Sequence, residues 1–111
     1  MIYPKMVAAQ NARDTEALMS LLTEDFVMVS HQQGIERSKS EFRSMVATMM
    51  SSDQLDVQNQ RLVYENNDIL VEHSFMAFAD GSKEAILAVW HKRNDQLARV
   101  ETGATPIAQA K

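Results

Sequence analysis

Between Pro4 and Leu22 the apolar residues recur at helical spacing, first Met6, Val7, Ala9 and Ala12, then Ala17, Leu18, Leu21 and Leu22. Pro4 suits a first helical turn, where a missing N–H costs nothing. The repeat is interrupted at Asn11–Ala12–Arg13–Asp14, and Asp14 stands where it would cap a new helix at Thr15. Two short helices meeting at a bend are therefore predicted. Phe26–His31 is rich in β-formers and runs into Gln32–Gln33–Gly34, a strand followed by a turn. Ser38 and Glu41 have capping-box spacing, which predicts a third helix from Lys39 to about Met50, packing through Phe42, Met45, Val46 and Met49.

The second half reads as strands over Gln54–Glu65, Ile69–Ala79, Ser82–Arg93 and Gln96–Thr102, with Ile107 to Lys111 as a frayed tail. Asn66–Asn67, Asp80–Gly81 and Asn94–Asp95 are the predicted two-residue hairpin loops, each tolerant of positive φ. If the loops hold two residues, register follows by counting. One face then carries Leu62, Val71, Phe75, Ile86 and Trp90 around a polar centre of Gln58, Gln60 and His73, and is expected to meet the helices. Buried amides and an imidazole need partners, since each unpaired group costs about 1–3 kcal/mol, so a cavity holding water or a ligand is expected there. The other face carries Val57, Val63, Leu70, Met76, Leu87 and Val89 beside Arg61, Glu72 and His91. The helices can cover one face only, so a homodimer through the outer sheet face is predicted.

Composition removes several alternatives. The 111 residues suit one domain, taken as 1–111. There is no cysteine, which excludes disulfides, thiol nucleophiles and cysteine-based zinc sites. A formal charge of −4 is the wrong sign for collecting phosphates, so no nucleic-acid partner is expected. No apolar run has the length of a signal peptide or membrane span, and a cytoplasmic protein without membrane contact is expected. His31, His73 and His91 lack metal-ligand spacing, and the three glycines form no phosphate loop; no metal and no cofactor are expected.

The order of these pieces resembles the small SnoaL-like members of the nuclear transport factor 2-like superfamily, from Tyr3 to about Ile107. The resemblance is carried by Arg13–Asp14–Thr15–Glu16–Ala17–Leu18, by Glu24–Asp25–Phe26 opening the first strand, and by Arg99–Val100–Glu101–Thr102–Gly103 near the end. It implies an α+β roll of the cystatin-like kind, a curved, mixed or antiparallel sheet wrapped around N-terminal helices as a cone with a pocket, often dimerised through the sheet. It does not imply one function, because the superfamily spans isomerases, dehydratases, epoxide hydrolases, polyketide cyclases and a transport adaptor. Ketosteroid isomerase chemistry needs a carboxylate base, a tyrosine and an acid at positions that fall near Ser30, Met6 and Ala88, none of which can serve; a one-residue gap in the count would put Val29 or His31 in place of Ser30, and of these only His31 reopens the question.

His73, beside Gln60 on the expected inner face, is the first candidate for general acid–base work. Tyr64 shares that parity and can polarise a carbonyl, while Trp90 and Phe75 form walls and Met28, Ser30, Gln58 and Gln60 complete the expected pocket. Arg99 and Glu101 lie inside, opposite Trp90 and Ala88, if the last hairpin is regular, and outside if it carries a bulge. Asp25 reads as a backbone cap. The resulting expectation is a small-molecule-binding pocket protein taking a mostly apolar ligand, with cofactor-free lyase, isomerase or cyclase chemistry through His73, Arg99 and Glu101 as the activity implied. The competing expectation is a non-catalytic dimeric binding or adaptor module with its cone filled by side chains; a hollow of roughly 300 Å³ or more containing His73 separates the two.

Overall fold

The computed structural model describes residues 1–53 and 56–108; Gln54, Leu55 and the tail from Gln109 to Lys111, all within predicted segments, lie outside the described residues. Helix α1 (Tyr3–Asn11) ends where Arg13 takes a positive φ of 53°. Asp14 then caps α2 (Thr15–Met19) by accepting a bond from the Ala17 N–H at 3.0 Å, which is the predicted bend. Ser38 and Glu41 form the reciprocal capping box that starts α3 (Lys39–Ser51). Helix α1 has no side-chain cap of its own; the carboxylate of Glu65 accepts from the N–H groups of Ile2 and Tyr3 at 2.7 and 3.3 Å, supplying one from far along the chain.

The strands are β1 (Leu22–Ser30), β2 (Ile35–Ser38), β3 (Asp56–Glu65), β4 (Ile69–Ala77), β5 (Lys83–Arg93) and β6 (Gln96–Pro106), in the unclosed order β2-β1-β6-β5-β4-β3. Five are found where strands are predicted. The short β2 is additional: Ile35–Glu36–Arg37–Ser38 lacks a strand-length apolar alternation and is held by pairing with β1. Strand β6 lies parallel to β1 and antiparallel to β5, so the sheet is mixed, and the helices cover one of its faces as the cone of the α+β roll requires. Strand β6 also runs past the expected Thr102 to Pro106, and the Ile107 N–H donates to the Lys83 carbonyl.

Beneath the helices, Met6, Leu22, Phe26, Leu70, Leu97 and Val100 are essentially inaccessible to solvent. Phe26 lies 5.0 Å from Phe42 and 6.1 Å from Trp90 between ring centroids, a cluster that joins β1, α3 and β5.

The hairpins correct the predicted register. Between β4 and β5 the Phe78 N–H donates to the Ser82 carbonyl, leaving a three-residue loop, Ala79–Asp80–Gly81, with Gly81 at φ 87°. Asp80 Oδ1 accepts from the N–H and the hydroxyl of Ser82 and stabilises this longer turn. Phe75 therefore pairs with Ala85, His73 with Leu87 and Glu72 with Ala88, one residue away from the counted register. Between β3 and β4 the Asn66 N–H donates to the Ile69 carbonyl, so the loop is Asn67–Asp68, and bulges near Asn59 and Val63 shift the pairing twice more. A one-residue slip exchanges the two faces of a strand. Leu70, Glu72, Ser74 and Met76 consequently face the helices beside Ile86, Ala88 and Trp90, and Val71, His73 and Phe75 face away.

Candidate functional site

A cavity of about 360 Å³ lies between the helices and the inner sheet face. Its apolar wall includes Met28, Phe42, Met45, Met49, Met76 and Trp90, with Gln10, Gln60, Glu72, Ser74 and Thr102 forming a polar strip; Arg13 and Asp56 also border it. The alternation of β4 puts Glu72 into this wall. Only 7% of Glu72 is exposed. Its Oε2 accepts a bond from Trp90 Nε1 at 2.7 Å, and its Oε1 accepts from Gln60 Nε2 at 3.1 Å. Gln60 Nε2 also donates to Gln10 Oε1 at 2.8 Å, so the amide is tied to α1 and aimed at the carboxylate.

Burial pushes the Glu72 carboxyl above the ordinary carboxylate range, and the bonds from Gln60 and Trp90 oppose that rise without cancelling it. Tyr3 responds to the same surroundings: burial, and then the nearby Glu72 charge, raise its hydroxyl above its usual range. A carboxyl whose proton is held more tightly than normal, facing open space, is suited to hold, give or take a proton there.

Of the residues predicted to form the site, Gln60, Trp90 and Met28 line the cavity. Ser30 is buried on β1 and is not on the wall. His73, Phe75, Gln58 and Tyr64 are placed on the opposite face by the altered register, and Tyr64 is 54% exposed. His73 lies edge-on to Phe75 at 5.1 Å, and its Nδ1 is buried without a hydrogen-bond partner. Arg99 and Glu101 follow the bulged alternative. Asn94 and Asp95 form the predicted two-residue turn with φ of 53° and 63°, but an irregularity between His91 and Lys92 pairs Arg99 with His91 and Glu101 with Val89. Both side chains face outward, where Glu101 accepts from His91 Nε2 at 2.7 Å and from His31 Nε2 at 3.1 Å. Those two bonds, the His31 one foremost, hold the Glu101 carboxyl below its usual range. The histidine expected in the pocket does not line this cavity.

Sequence reasoning placed Glu72 on the wrong face. Two signals point to it: a buried indole N–H needs an acceptor, and Asp80 followed two residues later by Ser82 favours the three-residue loop Ala79–Asp80–Gly81, which reverses the parity of β4.

A second recess, of about 480 Å³, lies at the start of α1 among Ile2, Lys5, Glu65, Asn66 and Lys92. Its buried charges answer one another, Lys92 Nζ lying 2.5 Å from Glu65 Oε2. Among the described residues no group of three or more His, Asp or Glu side chains is disposed to hold a metal ion, and no helix is long and apolar enough to cross a membrane.

Comparison with known proteins gives the class. The SnoaL-like domain model matches residues 4–100, and the chain belongs to that family, within the nuclear transport factor 2-like fold. Among solved structures it is similar to a Kribbella flavida protein provisionally assigned as a ketosteroid isomerase, at 12% identity and a TM-score of 0.78 over 99% of this chain and 79% of that one. An NTF2-like protein of unknown function from Mesorhizobium loti aligns at 12% identity and a TM-score of 0.76 over 94% of this chain and 88% of that one. A SnoaL-like protein of unknown function from Burkholderia thailandensis aligns at 18% identity and a TM-score of 0.69, over 92% and 89%. At these identities the likeness is one of fold. No curated protein matches the sequence.

Proposed function

We propose that this protein binds a small, mostly apolar molecule in the cavity beneath its helices, and that Glu72 is the group that holds or exchanges a proton with it without a cofactor. The observation that carries the reading is the placement of Glu72: a buried carboxyl on the wall of a hollow, fixed by two N–H donors, with its proton affinity raised. A volume of about 360 Å³ is sufficient for a small ligand, and the mix of apolar wall and few polar groups is what such sites use. The open space also argues against a cone filled by side chains. Proton transfer in an isomerase, lyase or cyclase requires a titratable group within reach of the substrate, and Glu72 is a cavity-wall carboxyl whose proton affinity burial raises. Native mass spectrometry of gently purified protein tests the reading directly. A bound small molecule that is lost in an Ala88→Trp variant, which fills the hollow, supports it; identical spectra for both proteins, with no added mass, overturn it.

The outer sheet face supports a second copy of the chain as partner. Val71, Phe75, Leu87 and Val89 share that face, and Leu87 is 46% exposed. These replace Leu70 and Met76 of the predicted surface, which face the helices instead. A face of this character, with no helix among the described residues over it, is suited to a twofold sheet-to-sheet contact.

A further inference from the structure

We propose that the cavity selects a protonated amine carried on an apolar body, in preference to neutral or anionic molecules of the same shape. The proposal rests on the ligand-binding reading above and adds the charge of the ligand.

The chain contains two buried glutamates that are treated in opposite ways. Glu65 has its cation supplied from within, since Lys92 lies 2.5 Å away with both side chains almost fully covered. Glu72 has none: among the described residues every ion pair involves other carboxylates, and its two oxygens meet the uncharged donors Gln60 and Trp90. Both partners offer N–H groups to the carboxyl, an arrangement that suits its ionised form. A buried charge without a counter-charge is unfavourable, and the unfilled position beside Glu72 is the cavity itself. A cation entering the cavity completes the pair that Lys92 completes for Glu65.

The walls agree with this. Trp90 and Phe42 present aromatic surface, and Met28, Met45, Met49, Met50 and Met76 present polarisable thioethers, both favourable to an organic cation and to its apolar body. An anion finds no equivalent. Among the described lining residues Arg13 is the single cationic side chain, and unlike Glu72 it is exposed, so solvent screens its charge, while its Nη1 donates to the carbonyls of Met50 and Ser52 at 2.6 and 2.9 Å.

The test uses three probes that share one body, a benzyl group on a dimethyl-substituted carbon, and differ in the head on that carbon: ammonium, hydroxyl or carboxylate. Binding is followed at pH 7 through the indole N–H resonance of Trp90, the chain's one tryptophan. The ammonium probe is expected to bind at least about tenfold more tightly than the hydroxyl probe, with the carboxylate weakest. In Glu72→Gln the preference for ammonium over hydroxyl is expected to vanish. A hydroxyl probe that binds the native protein as tightly as the ammonium overturns the charge assignment and leaves the cavity reading standing, with Glu72 then acting as a neutral donor. If none of the three moves the Trp90 resonance, the cavity reading itself falls. The ratio in the native protein decides the proposal even where Glu72→Gln does not fold.

Discussion

Trp90 Nε1 donates to Glu72 Oε2 at 2.7 Å, across two neighbouring strands and at the wall of the cavity. The bond joins the aromatic cluster of the core to a cavity-wall carboxyl whose proton affinity burial raises, so the same indole serves packing and site geometry. Replacing Trp90 with Phe keeps most of the apolar contact and removes the donor. The expected result is a loss of about 1–3 kcal/mol in urea denaturation, together with a further rise in the Glu72 pKa, because one carboxylate oxygen is left buried and unbonded.

Glu72 also predicts how stability varies with pH. Its folded pKa lies above the unfolded value, so the folded state binds the extra proton between the two. Relative to Glu72→Gln, the native protein is expected to be most stable below the unfolded value of about 4.3 and to lose stability as pH rises from there through the raised folded pKa, levelling above it. Paired denaturation curves across that range measure the difference, in which the other carboxylates cancel. A difference that stays flat with pH contradicts it.

Glu65 behaves in the opposite sense. Desolvation favours its neutral form, but the Lys92 bond and the N–H groups of Ile2 and Tyr3 outweigh that and hold its pKa below the usual range. Its contribution is therefore complete above the unfolded value and is lost as pH falls through the lower folded one. Lys92→Met removes one partner of a buried pair and is expected to cost about 3–5 kcal/mol. Hydrogen exchange should show the first turn of α1 opening earliest, since the same carboxylate caps it. Uniform loss of protection across the chain would separate the cap from the ion pair.

The outer face is tested by charge. Leu87→Glu puts a carboxylate in the middle of the exposed apolar rows, where it meets His73 of β4 as its neighbour in register. Light scattering at micromolar concentration is expected to give a dimer for the native chain and a monomer for the variant, with the helical signal unchanged. A native chain that is already monomeric removes this use of the face.

Local chemistry made much of the fold legible in advance. Asp14 and Ser38 announce two helix starts because a short polar side chain can satisfy the free N–H groups of a first turn from its own neighbourhood. Asn94 and Asp95 announce a tight turn because both tolerate positive φ. Trp90, Gln60 and Met28, expected at the pocket, line the cavity, whereas Gln58 and His73 do not.

The sequence by itself thus determined where α2 and α3 begin and that five strands lie about where they do, and that a polar group would sit within an apolar layer. Tertiary structure decided which one. Side chains alternate along a strand, so the Asp80–Ser82 bonds that lengthen one loop by a residue exchange His73 for Glu72, and a single irregularity beside His91 turns Arg99 and Glu101 outward. The caps of α2 and α3 depend on residues a few positions apart and can be read from the chain alone, whereas that of α1 comes from Glu65 across the fold. Facing depends on register, and register is settled by contacts between strands and by the burial they achieve together.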